Sequence, residues 1–178
     1  QLPEFCRILI EAYPGSERMA DNLGRLPFHS ACEYNTLATA TYLYRLYPES
    51  INVADNDGNY PIHYAIMGIN NRSNPKDGIE AVKFLLECNP DVLGATEQTP
   101  LHFACCSDVT LNTVRLLNDA FPDSVRHEDN KGDMPLHELC CNKILDEEVK
   151  VEILKLLVKR CPESVRHTNR KGNLPIHI

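Results

Sequence analysis

Two groups of histidine and cysteine are the residues of this chain whose types and spacing could do chemistry. Residues 102–106 read His-Phe-Ala-Cys-Cys, and residues 137–141 read His-Glu-Leu-Cys-Cys. Imidazole and thiolate groups are the usual zinc ligands in tetrahedral protein sites. A cysteine activated by a neighbouring histidine can also act as a catalytic nucleophile. The candidate chemistries are therefore zinc binding and cysteine-dependent catalysis.

Both groups belong to a Pro-x-His frame that occurs five times and uses five of the seven histidines. The frame prolines are Pro27, Pro61, Pro100, Pro135 and Pro175. A metal or catalytic site is unique, and four zinc ligands must converge on one ion, whereas these residues recur once per unit. We therefore expect the histidine to bond the turn backbone and the first cysteine to pack in the core. The sequence predicts no metal, no cofactor and no catalytic residue.

Each frame proline opens a short helical pattern, since proline is well placed at a first helical position. A second apolar pattern with spacings of three and four follows, as in Leu37–Tyr47 and Leu111–Phe121, and it predicts a second helix. That helix should end before the next proline, for example Pro48 or Pro122, because proline disfavours helical backbone in the residue before it. A short extended piece and a turn signal such as Asp55–Gly58 then lead to the next frame.

A unit of turn, helix and helix with this period resembles the ankyrin repeat. The resemblance is strongest at Thr99–Cys105 and is also strong at Asp21–Ala31 and Asp55–Ala65. It implies an all-α fold, an ankyrin-type helix-pair solenoid with hairpin-like turns between repeats. In the family, a threonine before the frame proline helps to tie the turn to the histidine. In four frames this threonine is replaced, by Leu26, Tyr60, Met134 and Leu174. The resemblance does not predict the tie for these four frames.

The period divides residues 1–178 into the segments of one repeat domain. We expect a partial repeat at 1–20 and the start of a further repeat at 169–178, so the chain is expected to be a fragment of a longer array. The full repeats are predicted at 21–54, 55–95, 96–128 and 129–168. Two units are longer between their helices, and these inserts are predicted to be loops around Asn70–Gly78 and Asn142–Glu147.

Composition excludes several classes of function. The formal net charge of −7 argues against a nucleic-acid surface, which usually carries a basic stripe, and the lack of a long apolar run argues against a membrane span. Cys32, Cys105 and Cys140 each lie three residues after a frame histidine. A small apolar position repeatedly filled by cysteine indicates buried thiols in a reducing compartment, so we expect a cytoplasmic protein without disulfides.

The resemblance implies that partners bind the hairpin tips and the first helices, which line a concave groove. Residues there differ between copies while the scaffold repeats, so we expect a protein–protein interaction scaffold with a protein partner and no small-molecule substrate, and not an enzyme. The alternative is a structural or regulatory segment of a larger multidomain enzyme or channel. The predicted partner-binding residues are Asn22, Arg25, Tyr34, Asn56, Asp57, Asn59, Met67, Glu97, Gln98, Ser107, Asn130, Lys131, Asp133 and Asn142.

Overall fold

The protein is described here by a computed structural model over residues 3–34, 36–69, 75–89 and 98–178. The chain divides into two compact units, Gln1–Asn89 and Pro90–Ile178. Over the described ranges all regular structure is helical, and these ranges contain no β-strand. This confirms the predicted all-α fold. Within the same ranges, no helix is both long enough and apolar enough to cross a bilayer.

The first unit contains helices α1 to α5 and two short 3-10 helices. The α-helices are α1 (Glu4–Ala12), α2 (Pro27–Tyr34), α3 (Leu37–Leu46), α4 (Pro61–Met67) and α5 (Pro75–Cys88), and the 3-10 helices are Ser16–Arg18 and Pro48–Asn52. Helix α2 packs on α3 and α4 packs on α5. The pairs then stack, α2 on α4 and α3 on α5, so the unit has a layer of first helices and a layer of second helices.

The second unit repeats this arrangement. Its helices are α6 (Pro100–Cys106), α7 (Leu111–Ala120), α8 (Pro135–Cys141) and α9 (Glu147–Arg160), with 3-10 helices at Pro122–Arg126, Pro162–Arg166 and Pro175–His177. The first helices α6 and α8 pack on each other, and the second helices α7 and α9 do the same. In α7 the apolar face predicted from spacing is the buried one, as Val114 and Leu117 show.

The second helices end where the prolines predict. Tyr47, Phe121 and Cys161 each close a helix with φ near −140°, and proline follows. The next residues, however, form 3-10 helices and not the extended pieces that we expected. Proline fixes φ at a value that a 3-10 helix accepts. The serine two residues later donates its hydroxyl to the carbonyl before the proline, as Ser124 does to Phe121 at 2.7 Å.

The two inserts differ from each other. The loop after Cys141 is present, and α9 starts at Glu147 behind Asp146, whose carboxylate accepts the N–H of Glu148 at 2.9 Å. In the other insert, residues 75–78 are the first turn of α5 and not a loop, because Pro75 occupies a first helical position, where proline is favoured. The remainder of that predicted loop, residues 70–74, lies outside the described residues.

Among the described residues, one buried polar side chain in α7 has no hydrogen-bond partner. Asn118 is fully buried, and neither its Nδ2 nor its Oδ1 is bonded to any residue that the structure describes. An unsatisfied buried polar group costs about 1–3 kcal/mol, and leucine has the same branched shape without the polar atoms. We expect Asn118→Leu to raise the free energy of unfolding by about 1–3 kcal/mol, measured by urea titration with circular dichroism.

The matched control for this substitution is Asn112→Leu on the same helix, where residue 112 is exposed. That control should change the free energy of unfolding by less than about 0.5 kcal/mol. A loss of stability in Asn118→Leu would contradict the prediction and would mean that the amide is satisfied in solution.

Candidate functional site

The frame histidines tie each turn to the first helix that follows it. In the four frames without threonine, the backbone N–H of the residue before the proline donates to histidine Nδ1. These bonds run from Leu26 to His29 at 3.0 Å, from Tyr60 to His63 at 2.9 Å, from Met134 to His137 at 3.1 Å and from Leu174 to His177 at 3.0 Å. In the remaining frame the Thr99 hydroxyl bonds Nδ1 of His102 at 2.8 Å. The tie is therefore made without the threonine side chain, because a backbone amide does not depend on residue type.

Three of these imidazoles, those of His29, His102 and His137, also reach the next hairpin or the residues just before it. Since Nδ1 accepts a hydrogen bond, Nε2 carries the proton and donates it to a backbone carbonyl. The acceptors are the Val53 carbonyl for His29, at 3.1 Å, and the Asp133 carbonyl for His102, at 2.9 Å. Burial lowers the pKa of His29, and it lowers the pKa of His102 to about 4. Both rings are neutral at pH 7, so they serve the scaffold.

The cysteines of the two groups are placed for packing. Cys105 is fully buried, and burial raises its pKa well above the usual range. Burial also raises the pKa of the half-buried Cys106 and Cys140 and of the exposed Cys141. Zinc binding and nucleophilic attack both need the thiolate, so this environment opposes both chemistries. No disulfide joins any of the eight cysteines, all of which lie in described residues.

Metal-ligand geometry is absent from both histidine–cysteine groups. In the described part of the chain, the side chains that bring three ligand atoms together are Asp129, Asp133 and Glu138. The Asp129 carboxylate accepts the N–H groups of Lys131 and Asp133 at 2.8 Å, and the Asp133 carboxylate accepts the amide of Asn169 at 2.8 Å. Asp129 and Asp133 support the turns, and a cluster of carboxylates is not by itself a metal site.

The hairpin tips, residues 21–26, 55–60, 129–134 and 169–174, share one construction. A leading Asp or Asn accepts the backbone N–H groups two and four residues later; Asp55 does so at 2.9 and 2.8 Å. A glycine with positive φ follows, as predicted, for example Gly58 at 83°. Backbone hydrogen bonds join neighbouring tips. The Asn56 N–H donates to the Leu23 carbonyl at 2.9 Å in the first unit, and the Arg170 N–H donates to the Lys131 carbonyl at 3.0 Å in the second. The tip backbones are therefore fixed and their side chains can vary.

The predicted partner-binding residues divide by exposure. The exposed ones are Asn22, Tyr34, Asn56, Asp57, Asn130 and Lys131, and the half-buried ones are Arg25, Asn59, Met67, Gln98, Ser107 and Asp133. Some half-buried members also serve the turns, since Arg25 pairs with Asp21 at 2.7 Å and the Asn59 amide donates to Asp55 at 3.2 Å. Glu97 lies outside the described residues.

Asn142 does not fit the prediction. Its side chain is buried, and its amide donates to the carbonyls of Cys105 at 2.9 Å and Ser107 at 3.0 Å. Its side-chain oxygen accepts the N–H groups of Ile144 and Leu145 at 2.9 Å. Asn142 therefore closes the loop after α8 against the end of α6, and a side chain committed to four bonds is not available to a partner.

The second unit has a groove between its hairpin tips and α8. It has a volume of about 320 Å³, and its lining includes Lys131, Cys141, Lys171, Asn173 and His177. The tip positions were predicted from sequence, whereas the contribution of His177 was not. In sequence His177 resembles the other frame histidines, yet those four are buried and His177 is exposed. Only a weak sequence signal therefore pointed to His177.

Glu138 was also not predicted from the sequence; it is a half-buried residue of α8 whose carboxylate accepts the amide of Gln98 at 3.4 Å. Burial raises the pKa of Glu138. The available signal was the variability of the position after the frame histidine, which is Ser30, Tyr64, Phe103 or Glu138. A position that changes this much between copies is not fixed by the scaffold.

Comparison with known proteins agrees with this geometry. A family profile described as ankyrin repeats (3 copies) matches residues 73–169. The ankyrin repeat-containing protein C6C3.08 of Schizosaccharomyces pombe is 28% identical over 129 residues, which are 72% of this chain and 53% of that protein. The chain therefore spans about half the length of this curated relative. The crystal structure of the ankyrin repeat domain of Bcl-3, described as a unique member of the IkappaB protein family, superposes with a TM-score of 0.69 at 22% identity, over 98% of this chain and 72% of that one.

Proposed function

Because this chain belongs to the ankyrin-repeat family, we propose that it is a protein–protein interaction scaffold that binds a protein partner through its hairpin tips and first helices. One observation carries the proposal: the tip backbones are held by internal bonds while the tip side chains are exposed. Asp57 and Lys131, for example, use their N–H groups to close the turn and leave their side chains to solvent. A fixed backbone that presents variable side chains suits recognition, because little ordering entropy is lost on binding.

The proposal extends to activity and location. The buried histidines and thiols serve packing, which supports a binding role without catalysis, without a cofactor and without a small-molecule substrate. Cys32, Cys105 and Cys161 are fully buried and behave as small apolar residues, which supports a reducing, cytoplasmic location. The repeat boundaries at 21–54, 55–95, 96–128 and 129–168 remain part of this proposal.

The test replaces one exposed side chain at each of three tips. We expect the combined variant Asn22→Ala, Asp57→Ala, Lys131→Ala to lose most partner capture, about tenfold or more, since side chains at an interface centre carry most binding energy. Capture by the immobilised chain is measured by quantitative mass spectrometry against wild type. The circular dichroism spectrum and melting temperature should not change, because these side chains support no turn.

The control variant carries Asn112→Ala, Arg115→Ala and Lys159→Ala, which are exposed positions of the second helices α7 and α9. It should capture the same proteins as wild type. Capture that survives the tip variant, or is lost equally in the control, would refute binding at the tips and would favour a purely structural segment of a larger protein.

A further inference from the structure

Three exposed cations lie at the two hairpin tips of the second unit, beside the aspartates Asp129 and Asp133 of the first of these tips, although the chain has a net charge of −7. Lys131, Arg170 and Lys171 are exposed. Within the described part of this unit, the ion pairs are made by Arg126, Lys155 and Arg160, and the His167 imidazole lies 3.5 Å from the Glu128 carboxylate. The three tip cations are therefore not neutralised at contact distance by carboxylates of that part of the unit.

The carboxylates near these cations accept amide N–H groups or are half-buried, and no ion pair within the described residues joins them to the three cations. Asp129 accepts two turn amides and Asp133 accepts the Asn169 amide. Glu138 is half-buried and is attracted to Lys131 without forming an ion pair, and burial dominates its pKa shift. The tips of the first unit do not present positive charge in this way. Their Arg25 is paired with Asp21, and their exposed charged side chain at the next tip is the acidic Asp57.

The two lysines border one concave surface. Lys131 and Lys171 line the same groove of about 320 Å³ together with Asp133 and Cys141, and we call it the basic groove. The tips are held in register by the bond from Arg170 N–H to the Lys131 carbonyl at 3.0 Å. The backbones from which the two lysines extend are therefore held at a fixed separation.

We infer that the basic groove binds an extended acidic segment of the protein partner, with a carboxylate on each lysine. This inference rests on the proposed function and names the chemistry of the partner. Packed helices lie about 8–10 Å apart, and an extended chain advances about 3.3 Å per residue. Two carboxylates about three residues apart therefore match the separation between adjacent tips.

The test uses the whole chain and a fluorescein-labelled Gly/Ser peptide with glutamates about three residues apart. Its control is the same peptide with glutamines. By fluorescence anisotropy at low salt, we expect the acidic peptide to bind and the glutamine peptide not to bind. The variant Lys131→Glu/Lys171→Glu should lose about tenfold or more of the affinity for the acidic peptide. Added salt should weaken the binding of this peptide to the wild-type chain. Lys159→Glu/Lys143→Glu removes the same charge at exposed positions outside the lining of the groove and should keep the wild-type affinity.

A second readout locates the peptide. Cys141 is exposed and lines the groove, whereas Cys6 is half-buried in the first unit. Bound acidic peptide should slow maleimide labelling of Cys141, measured by peptide mapping, and should leave the labelling of Cys6 unchanged.

Several results would overturn the inference: no binding of the acidic peptide, equal binding by the charge-reversed variant, binding without protection of Cys141, or tighter binding of single-stranded nucleic acid than of the peptide. These failures are distinguishable from failure of the scaffold function. If the peptide does not bind but the tip variant still loses partner capture, the scaffold proposal stands and only the acidic chemistry is wrong.

Discussion

His102→Ala should lower the free energy of unfolding at pH 7 by about 3 kcal/mol. The imidazole is fully buried, and its two nitrogens bond the Thr99 hydroxyl at 2.8 Å and the Asp133 carbonyl at 2.9 Å. Alanine leaves both partners unsatisfied and opens a cavity between α6 and the next hairpin. Urea titration followed by far-ultraviolet circular dichroism measures the loss.

The pH dependence of stability gives a second signature of this residue. An unfolded histidine binds a proton below about pH 6.5, whereas His102 in the folded protein does so only near its pKa of about 4. Between these values the unfolded state holds more protons, so the contribution of the neutral ring is present above pH 6.5 and is lost as the pH falls towards 4. The stability difference between wild type and His102→Ala should therefore shrink from about 3 kcal/mol at pH 7 towards zero near pH 4.

His177→Ala is the matched control, since Nδ1 of His177 also bonds its own turn, through the Leu174 N–H, but the side chain is exposed. It should cost less than about 1 kcal/mol. A His102→Ala variant as stable as His177→Ala, or a stability difference that does not change with pH, would show that the frame histidine is not a structural link between repeats.

Gly68→Ala should destabilise the first unit by about 3 kcal/mol. Gly68 ends α4 with φ of −74°, a helical conformation in which alanine is ordinarily the more stable residue. Here an added Cβ would lie 2.1 Å from the carbonyl oxygen of Glu33. Both atoms belong to backbone, so α2 and α4 would have to separate. All seven tyrosines lie between residues 13 and 64 and the chain has no tryptophan, so tyrosine fluorescence during urea titration reports this unit.

Gly58→Ala provides the comparison within the same unit. Gly58 has φ of 83° and open space around a notional Cβ, so alanine there costs only the backbone strain, about 1 kcal/mol. The order of the two costs is diagnostic, because conformational preference alone would make Gly58 the more sensitive position. If Gly68→Ala proves equal to wild type or more stable, the close approach of α2 and α4 does not exist in solution.

The fold was predictable because its signals are local. Proline opens the first helices at Pro61 and Pro135, and the residue before proline ends the second helices at Tyr47 and Phe121. Both effects come from the proline ring itself, so they hold in every copy. The 3-10 helices that begin at Pro48, Pro122 and Pro162 were not predicted, because each is accompanied by a serine hydroxyl that bonds a carbonyl three residues back, as Ser124 does. That bond forms only once the helix has stopped.

Contacts between copies were less predictable. Gly68 and Asn142 lie at the same place in the repeat, five residues after a frame histidine. One permits a close backbone approach, and the other bridges two carbonyls with its amide. Sequence variation at that place resembled the variation of a binding surface, although Asn142 is buried. The basic groove likewise depends on which tips become neighbours and on which carboxylates bond to turn amides. The sequence of a single repeat does not contain that information.

The imidazole link has a consequence for how such a chain can change in length. Three frame histidines donate to a main-chain oxygen at or just before the following hairpin: His29 to Val53, His102 to Asp133 and His137 to Asn173. Every residue type supplies that oxygen, so this bond places no demand on the side-chain identity of the next copy. Whole copies can therefore be duplicated, deleted or exchanged between genes while this junction is remade, and the tip side chains can diverge afterwards.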